Sequence, residues 1–159
     1  SVGSADKAPT VPHFESKWQV EQYLKANVKD WSIIRPVAFF DNFPTANKGG
    51  FVLSMTFGIF GANTEGGNKK VQYISVKDIG IVTSKAILEE DKFKGKTIEL
   101  AGDEKSINEL VQAASAAKGQ KQGKVPIPKF ITGLMIPTEI KVMFECEHIT
   151  HFSSRTFLS

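Results

Sequence analysis

The stretch Trp31–Asn42, WSIIRPVAFFDN, decides how the rest of the chain is read. Two adjacent isoleucines without clean alternation describe a short strand, Trp31 to Pro36, covered on both faces. Proline cannot donate to a β-ladder, so Pro36 closes that strand. The run after it, Val37 to Phe43, is again apolar, and Pro44 ends it. A strand covered on both faces needs helices on each side of its sheet, and the flanking sequence supplies them.

Upstream, apolar residues recur at three- and four-residue spacing from Phe14 to Asn27, which predicts a helix. Val20, Tyr23 and Leu24 are its expected core face. Ser1–Pro12 reads as a loop. Downstream, Phe51–Phe60 is apolar and fits strand or helix. Ala62–Lys70 (ANTEGGNKK) is turn chemistry, and Val71–Val76 (VQYISV) alternates as a strand. Asp78 suits the N-cap of a helix over Ile79–Glu90. Lys96–Leu100 (KTIEL) is a further strand. Ser106-Ile-Asn-Glu109 is a capping box for a helix to Lys118, stopped by Gly119. Val125–Pro128 is an extended connector, followed by two short apolar helices split by Pro137. Strands alternating with helices predict an α/β fold with a mostly parallel sheet.

Composition agrees. The 159 residues are 41% hydrophobic and 23% charged, the proportions of one globular domain. Collagenous, disordered and disulfide-scaffold classes are excluded. No run of about 18 apolar residues predicts a membrane-spanning helix. A formal charge of +3 gives no argument for nucleic acid. The lone Cys146 forms no intrachain disulfide and points to a reducing compartment.

Three constellations carry candidate chemistry. In His13-Phe-Glu-Ser-Lys17, the four-residue spacing puts imidazole and ammonium on one helix face. A lysine there can bind a ribose hydroxyl and lower the pKa of a neighbouring donor. The same pair also describes a first-turn cap beside a solvated lysine. Arg35–Asn42 leaves a strand at its carboxyl end, where open α/β sheets bind ligands; Phe39, Phe40 and Phe43 serve equally as core. Cys146-x-His148-x-x-His151 lacks the spacing of a zinc site and reads as a packed chain segment, so no metal is expected. Lys118–Lys124 (KGQKQGK) reads as a flexible basic loop rather than a phosphate or nucleic-acid site. No glycine-rich phosphate loop is present.

Taken together, SVGSADK, VPHFESKWQVEQYLK, WSIIRPVAFFDNF, VQYISVKDIG and GKTIELAGDEKSINEL resemble the NmrA-like family, atypical short-chain dehydrogenase/reductases. The resemblance implies a Rossmann-like NAD(P)-binding α/β fold. It covers nearly the whole chain but only the C-terminal half to two-thirds of such a domain, so residues 1–159 are expected to be the C-terminal part of one domain. That part includes the small substrate- or partner-binding portion. The family's glycine-rich N-terminal half would precede Ser1. The lack of an initiator Met fits, as does Ser1-Val2, which resembles the end of the family's fifth strand.

In typical relatives a Ser, a Tyr and a Lys form the active site, with Tyr and Lys as Y-x-x-x-K. Lys17 matches that Lys, His13 stands at the Tyr position and Ser1 lies near the Ser position. The family's segment contacting the nicotinamide end maps to Ala38, Phe39, Phe40, Asp41 and Asn42. The implied function is an NADP(H)-binding redox sensor or regulator. The alternatives are an NADPH-dependent reductase of a small electrophile such as a quinone, and a cofactor-free interaction module using Ile127–Phe157. Without a glycine-rich loop to seat the pyrophosphate, the chain alone is expected to bind NADP(H) weakly or not at all. The expected partner is the N-terminal half of the fold or a complementary chain, with a homodimer or a regulatory protein besides. No membrane and no direct nucleic-acid partner are expected, and the implied location is cytoplasmic or nuclear.

Overall fold

A computed structural model describes residues 1–7, 11–43 and 50–136. Helix α1 (Pro12–Asn27) opens on a proline, whose fixed φ and missing N–H suit a first helical position. It feeds strand β1 (Ser32–Pro36) and the short β2 (Ala38–Phe39). A 3-10 turn follows over Phe40–Asn42. The ambiguous apolar segment is helix α2 (Gly50–Ala62). Strand β3 (Lys70–Ile74), helix α3 (Val76–Leu88), the single turn α4 (Glu90–Phe93) and strand β4 (Lys96–Leu100) come next. Strand β5 (Asp103–Ser106) runs into helix α5 (Ile107–Lys118), and α6 (Lys129–Met135) closes the described chain.

The architecture is the expected α/β. β1 pairs with β4 in parallel, from Ser32 opposite Lys96 to Pro36 opposite Leu100. β2 pairs with β3, also parallel, and β3 pairs with β5 antiparallel. Sequence reading missed β5 because Asp-Glu-Lys-Ser has no apolar alternation. It lies at the edge of its sheet, where charged side chains face water and discourage further pairing.

Two apolar clusters hold the layers. Val37, Ile74, Val82 and Leu100 pack α3 onto the strands, joined by Ile34, Phe39 and Ile79. Leu53, Phe57 and Ile107 join α2 to α5, with Phe43, Phe60 and Leu110 around them. The connector at Val125 crosses α2 closely: its N–H donates to the Ser54 carbonyl at 3.0 Å. A Cβ on Gly58 would stand 2.2 Å from the Val125 carbonyl oxygen, so only glycine fits there.

The structure corrects four expectations. First, α1 buries Phe14 and Glu21, while Val20 and Tyr23 are 65% and 72% exposed. The helix is turned so that Glu21 meets a buried arginine, and at 100° per residue this swings Val20 and Tyr23 outward. Second, α3 is capped by Ser75, whose hydroxyl accepts the Asp78 N–H at 3.1 Å, and it starts three residues before Ile79. Asp78 lies inside the first turn, where its carboxylate still suits the positive helix end. Third, Ser1-Val2 is not strand; residues 3–7 form a turn tied to β1 by the Gly3 N–H on the Pro36 carbonyl, 2.9 Å. Fourth, the Lys118–Lys124 loop is anchored: Gln122 is buried, and Lys124 Nζ bonds the Gly66 carbonyl and Asn108. The capping box on α5 forms as read, with Ser106 and Glu109 bonded reciprocally and Gly119 left-handed at the stop. The second apolar helix after Pro137 lies outside the described residues.

Candidate functional site

Along α1, His13, Lys17 and Glu21 follow at successive four-residue steps, so the three form one stripe that runs from exposed residues to the buried Glu21. Glu21 is buried and acts as the anchor. It accepts two hydrogen bonds from Arg35, Nε to Oε1 at 2.9 Å and Nη2 to Oε2 at 2.6 Å. The Ser1 hydroxyl donates to Glu21 as well. The Lys17 ammonium lies within electrostatic reach of Ser1. Of the sequence candidates, Ser1 is tied to Glu21, and Lys17 stands one helical turn before Glu21 on the same stripe. His13 and Lys17 are exposed, with the His13 ring tilted against Phe14, centroids 5.9 Å apart.

Arg35 is the hub. Its Nη1 also bonds Asp6 at 2.6 Å and Glu99 at 2.9 Å, so one guanidinium meets three carboxylates in a largely water-free space. Its planar fork and five donors allow this, and its face stacks on Trp18 at 5.5 Å. Lys25 continues the stack, 5.3 Å from Trp18 and 5.2 Å from Trp31. Burial works against the Arg35 cation, but its bonds to Glu21 and Glu99 win and hold its pKa above the ordinary value. The two glutamates then shift in opposite directions. Burial raises Glu21, yet the Arg35 and Ser1 hydrogen bonds outweigh it and hold the carboxyl below the usual range. Burial also raises Glu99, and its bonds to Arg35 and to the Ser4 backbone do not compensate, so its pKa stays above the usual range. Glu99 Oε2 is buried with no hydrogen-bond partner among the described residues.

The second predicted group is distributed over the strand end. Ala38 and Phe39 pair with Tyr73 and Ile74, and Phe39 packs into the first core. Phe40 stacks on Tyr73 with centroids 5.1 Å apart. Asp41 Oδ2 accepts the Val76 N–H at 2.9 Å and so caps α3. Asn42 is exposed. Tyr73 is buried, which pushes its hydroxyl up to about 12.

Of the sequence candidates, His13, Lys17 and Asn42 present unburied polar groups able to meet a ribose or carboxamide. Asp41 already serves α3 with one oxygen, and Ala38 and Phe39 are engaged in strand pairing. Cys146, His148 and His151 lie outside the described residues; among those described, no group of three His, Cys, Asp or Glu side chains is arranged to hold a metal ion. No helix among the described residues is long and apolar enough to cross a membrane. Sequence reading placed Arg35 in a motif but missed its role as hub. The available signal was a charged residue inside an otherwise apolar strand, which demands buried partners.

Three comparisons bear on this geometry. The model of the NmrA-like family matches residues 3–154. A solved structure of a nucleoside-diphosphate-sugar epimerase from Staphylococcus aureus superposes with a TM-score of 0.62 at 19% identity. The alignment takes in 94% of this chain and 53% of that one, so this chain spans about half the length of the solved relative. No curated protein matches.

Proposed function

Because the chain belongs to the NmrA-like family, whose Rossmann-like fold binds NAD(P), we propose that it contributes the nicotinamide side of an NADP(H) site in a redox sensor or regulator. The observation that carries this reading is the α1 stripe, with His13 and Lys17 exposed one turn apart and Ser1 tied to Glu21 at its foot. Lys17 would donate to the ribose hydroxyls, and Asn42 would meet the carboxamide. Phe40, fixed by its stack on Tyr73, would shield the ring from water. When bound, NADPH supplies a hydride. Glu21 keeps the stripe in register through Arg35, so the exposed groups stand on a rigid base.

Binding and turnover separate the sensor from its alternative. NADPH and NADH are titrated into the natural protein and into its Lys17→Ala variant, with a quinone panel read at the nicotinamide absorbance band. Binding that Lys17→Ala weakens, without quinone turnover, is the expected result. Dinucleotide affinity unchanged by Lys17→Ala would remove the proposal. The reductase reading rests on His13 at the acid position. It takes over when turnover appears and falls in His13→Ala while NADPH binding persists.

A further inference from the structure

The seam between α2 and α5 holds a cleft that the α1 stripe does not use and that shares only Phe40 with the strand end. Its walls include Phe40, Phe43, Leu53, Phe57 and Leu110, and it is an open cleft of about 220 Å³. A cavity of roughly 150 Å³ lined by apolar side chains admits benzene, so this one has room for a larger ring system. Phe43 and Phe57 stand tilted at 5.5 Å, an arrangement that offers ring edges and faces to an inserted aromatic.

The cleft is not closed by apolar groups all round. Lys118 lines its end, and the same lysine lines a polar recess of about 560 Å³ formed with Ser54, Lys121 and Gln122. Among the described residues, no carboxylate lines either space. Lys118 is held in place. Its Nζ donates to Gln122 Oε1 at 3.3 Å, and Gln122 is 8% exposed. The Gln122 amide in turn donates to the Gly50 carbonyl at 3.0 Å and to Ser54 Oγ at 2.6 Å. The Gln122 N–H reaches Ser115 Oγ at 2.9 Å. A buried amide thus meets the Lys118 ammonium on the recess side, while Lys118 also borders the aromatic cleft. Lys118 keeps donors beyond the one it gives Gln122.

We propose that this seam binds a small aromatic carboxylate, with its ring system in the cleft and its carboxylate on Lys118. Lys121 adds like-signed attraction from the recess. The site needs no dinucleotide and does not rest on the redox reading.

The test uses 2-naphthoate and its neutral isostere 2-naphthamide, titrated into the full chain at low salt. Calorimetry gives the affinity, and the Leu53 and Leu110 methyl resonances give the location. Naphthoate is expected to shift those methyls saturably and to bind roughly tenfold more tightly than naphthamide, the worth of one charge-assisted hydrogen bond. Lys118→Met, at the end of α5, should bring naphthoate down to the naphthamide level and leave naphthamide unchanged. Ala114→Phe, with its fold checked by its amide spectrum, should abolish both by filling the cleft. Equal affinity for acid and amide overturns the proposal. So does indifference of naphthoate to Lys118→Met, or saturable shifts on α1 instead of Leu53 and Leu110.

Discussion

Arg35 and Ile107 are both buried where a strand ends, and they secure the chain by opposite means. Around Arg35, directional bonds gather Asp6, Glu21 and Glu99 from distant parts of the sequence. Around Ile107, Leu53 and Phe57 pack without any direction to satisfy. A charged hub fixes the rotation of α1 exactly because misplacement would strand a buried charge, whereas an apolar seam tolerates rotation and leaves space. The rigid, charged region is where the exposed His13 and Lys17 are presented. The apolar region is where the open cleft lies.

The contrast is broken most severely by Arg35→Met, which leaves three carboxylates without their cation. Removing one partner of a buried ion pair costs about 3–5 kcal/mol, and urea unfolding at neutral pH should show a loss of that size. The loss should shrink in acid, as the carboxylates protonate. A cost under about 1 kcal/mol would mean the hub is no stronger than a surface pair. Ile107→Ala is the matching cut on the other side. It should cost about 2–4 kcal/mol through lost burial and a residual cavity, with the same value at pH 5 and pH 7. A marked pH dependence of that cost would erase the distinction between the regions.

The smallest effect is the sharpest. Glu21 has a lowered folded pKa, so its stabilisation is present above the ordinary carboxylate range and is lost as pH falls through the folded value. Glu99 has a raised folded pKa, so its contribution is full below the ordinary range and is lost as pH rises through the folded value. At pH 7, Glu21→Gln should therefore cost about 1.5–3 kcal/mol, the range for hydrogen bonds to charged groups, while Glu99→Gln should cost nothing or stabilise. Unfolding curves of the two variants at pH 4 and pH 7 check both signs. Equal costs at pH 7 would show that Arg35 serves its acids alike.

What the sequence disclosed follows from the range of each signal. The α5 capping box, Gly119, β1 and β4 are local patterns, and all were legible. The rotation of α1 was not, because it is set by Arg35, fourteen residues beyond Glu21. β5 was hidden by its charges, and its pairing to β3 is a long-range fact. Ser75 and Asp78 are both good caps, and only the backbone shows which one stands outside the helix. For the candidate site, the spacing of His13 and Lys17 made legible that they share one face of α1. Asp41 as a helix cap and Gln122 as a buried anchor were not, since each depends on a partner more than 30 residues away.

The stack of Arg35, Trp18, Lys25 and Trp31 has an optical consequence. The chain has two tryptophans, and both sit in that one pile of rings and cations. Its intrinsic emission is therefore a one-sided witness. It reports the parting of α1 from β1, so pairing tryptophan light with a signal from the phenylalanine side of the α2–α5 seam tells whether the two regions melt together.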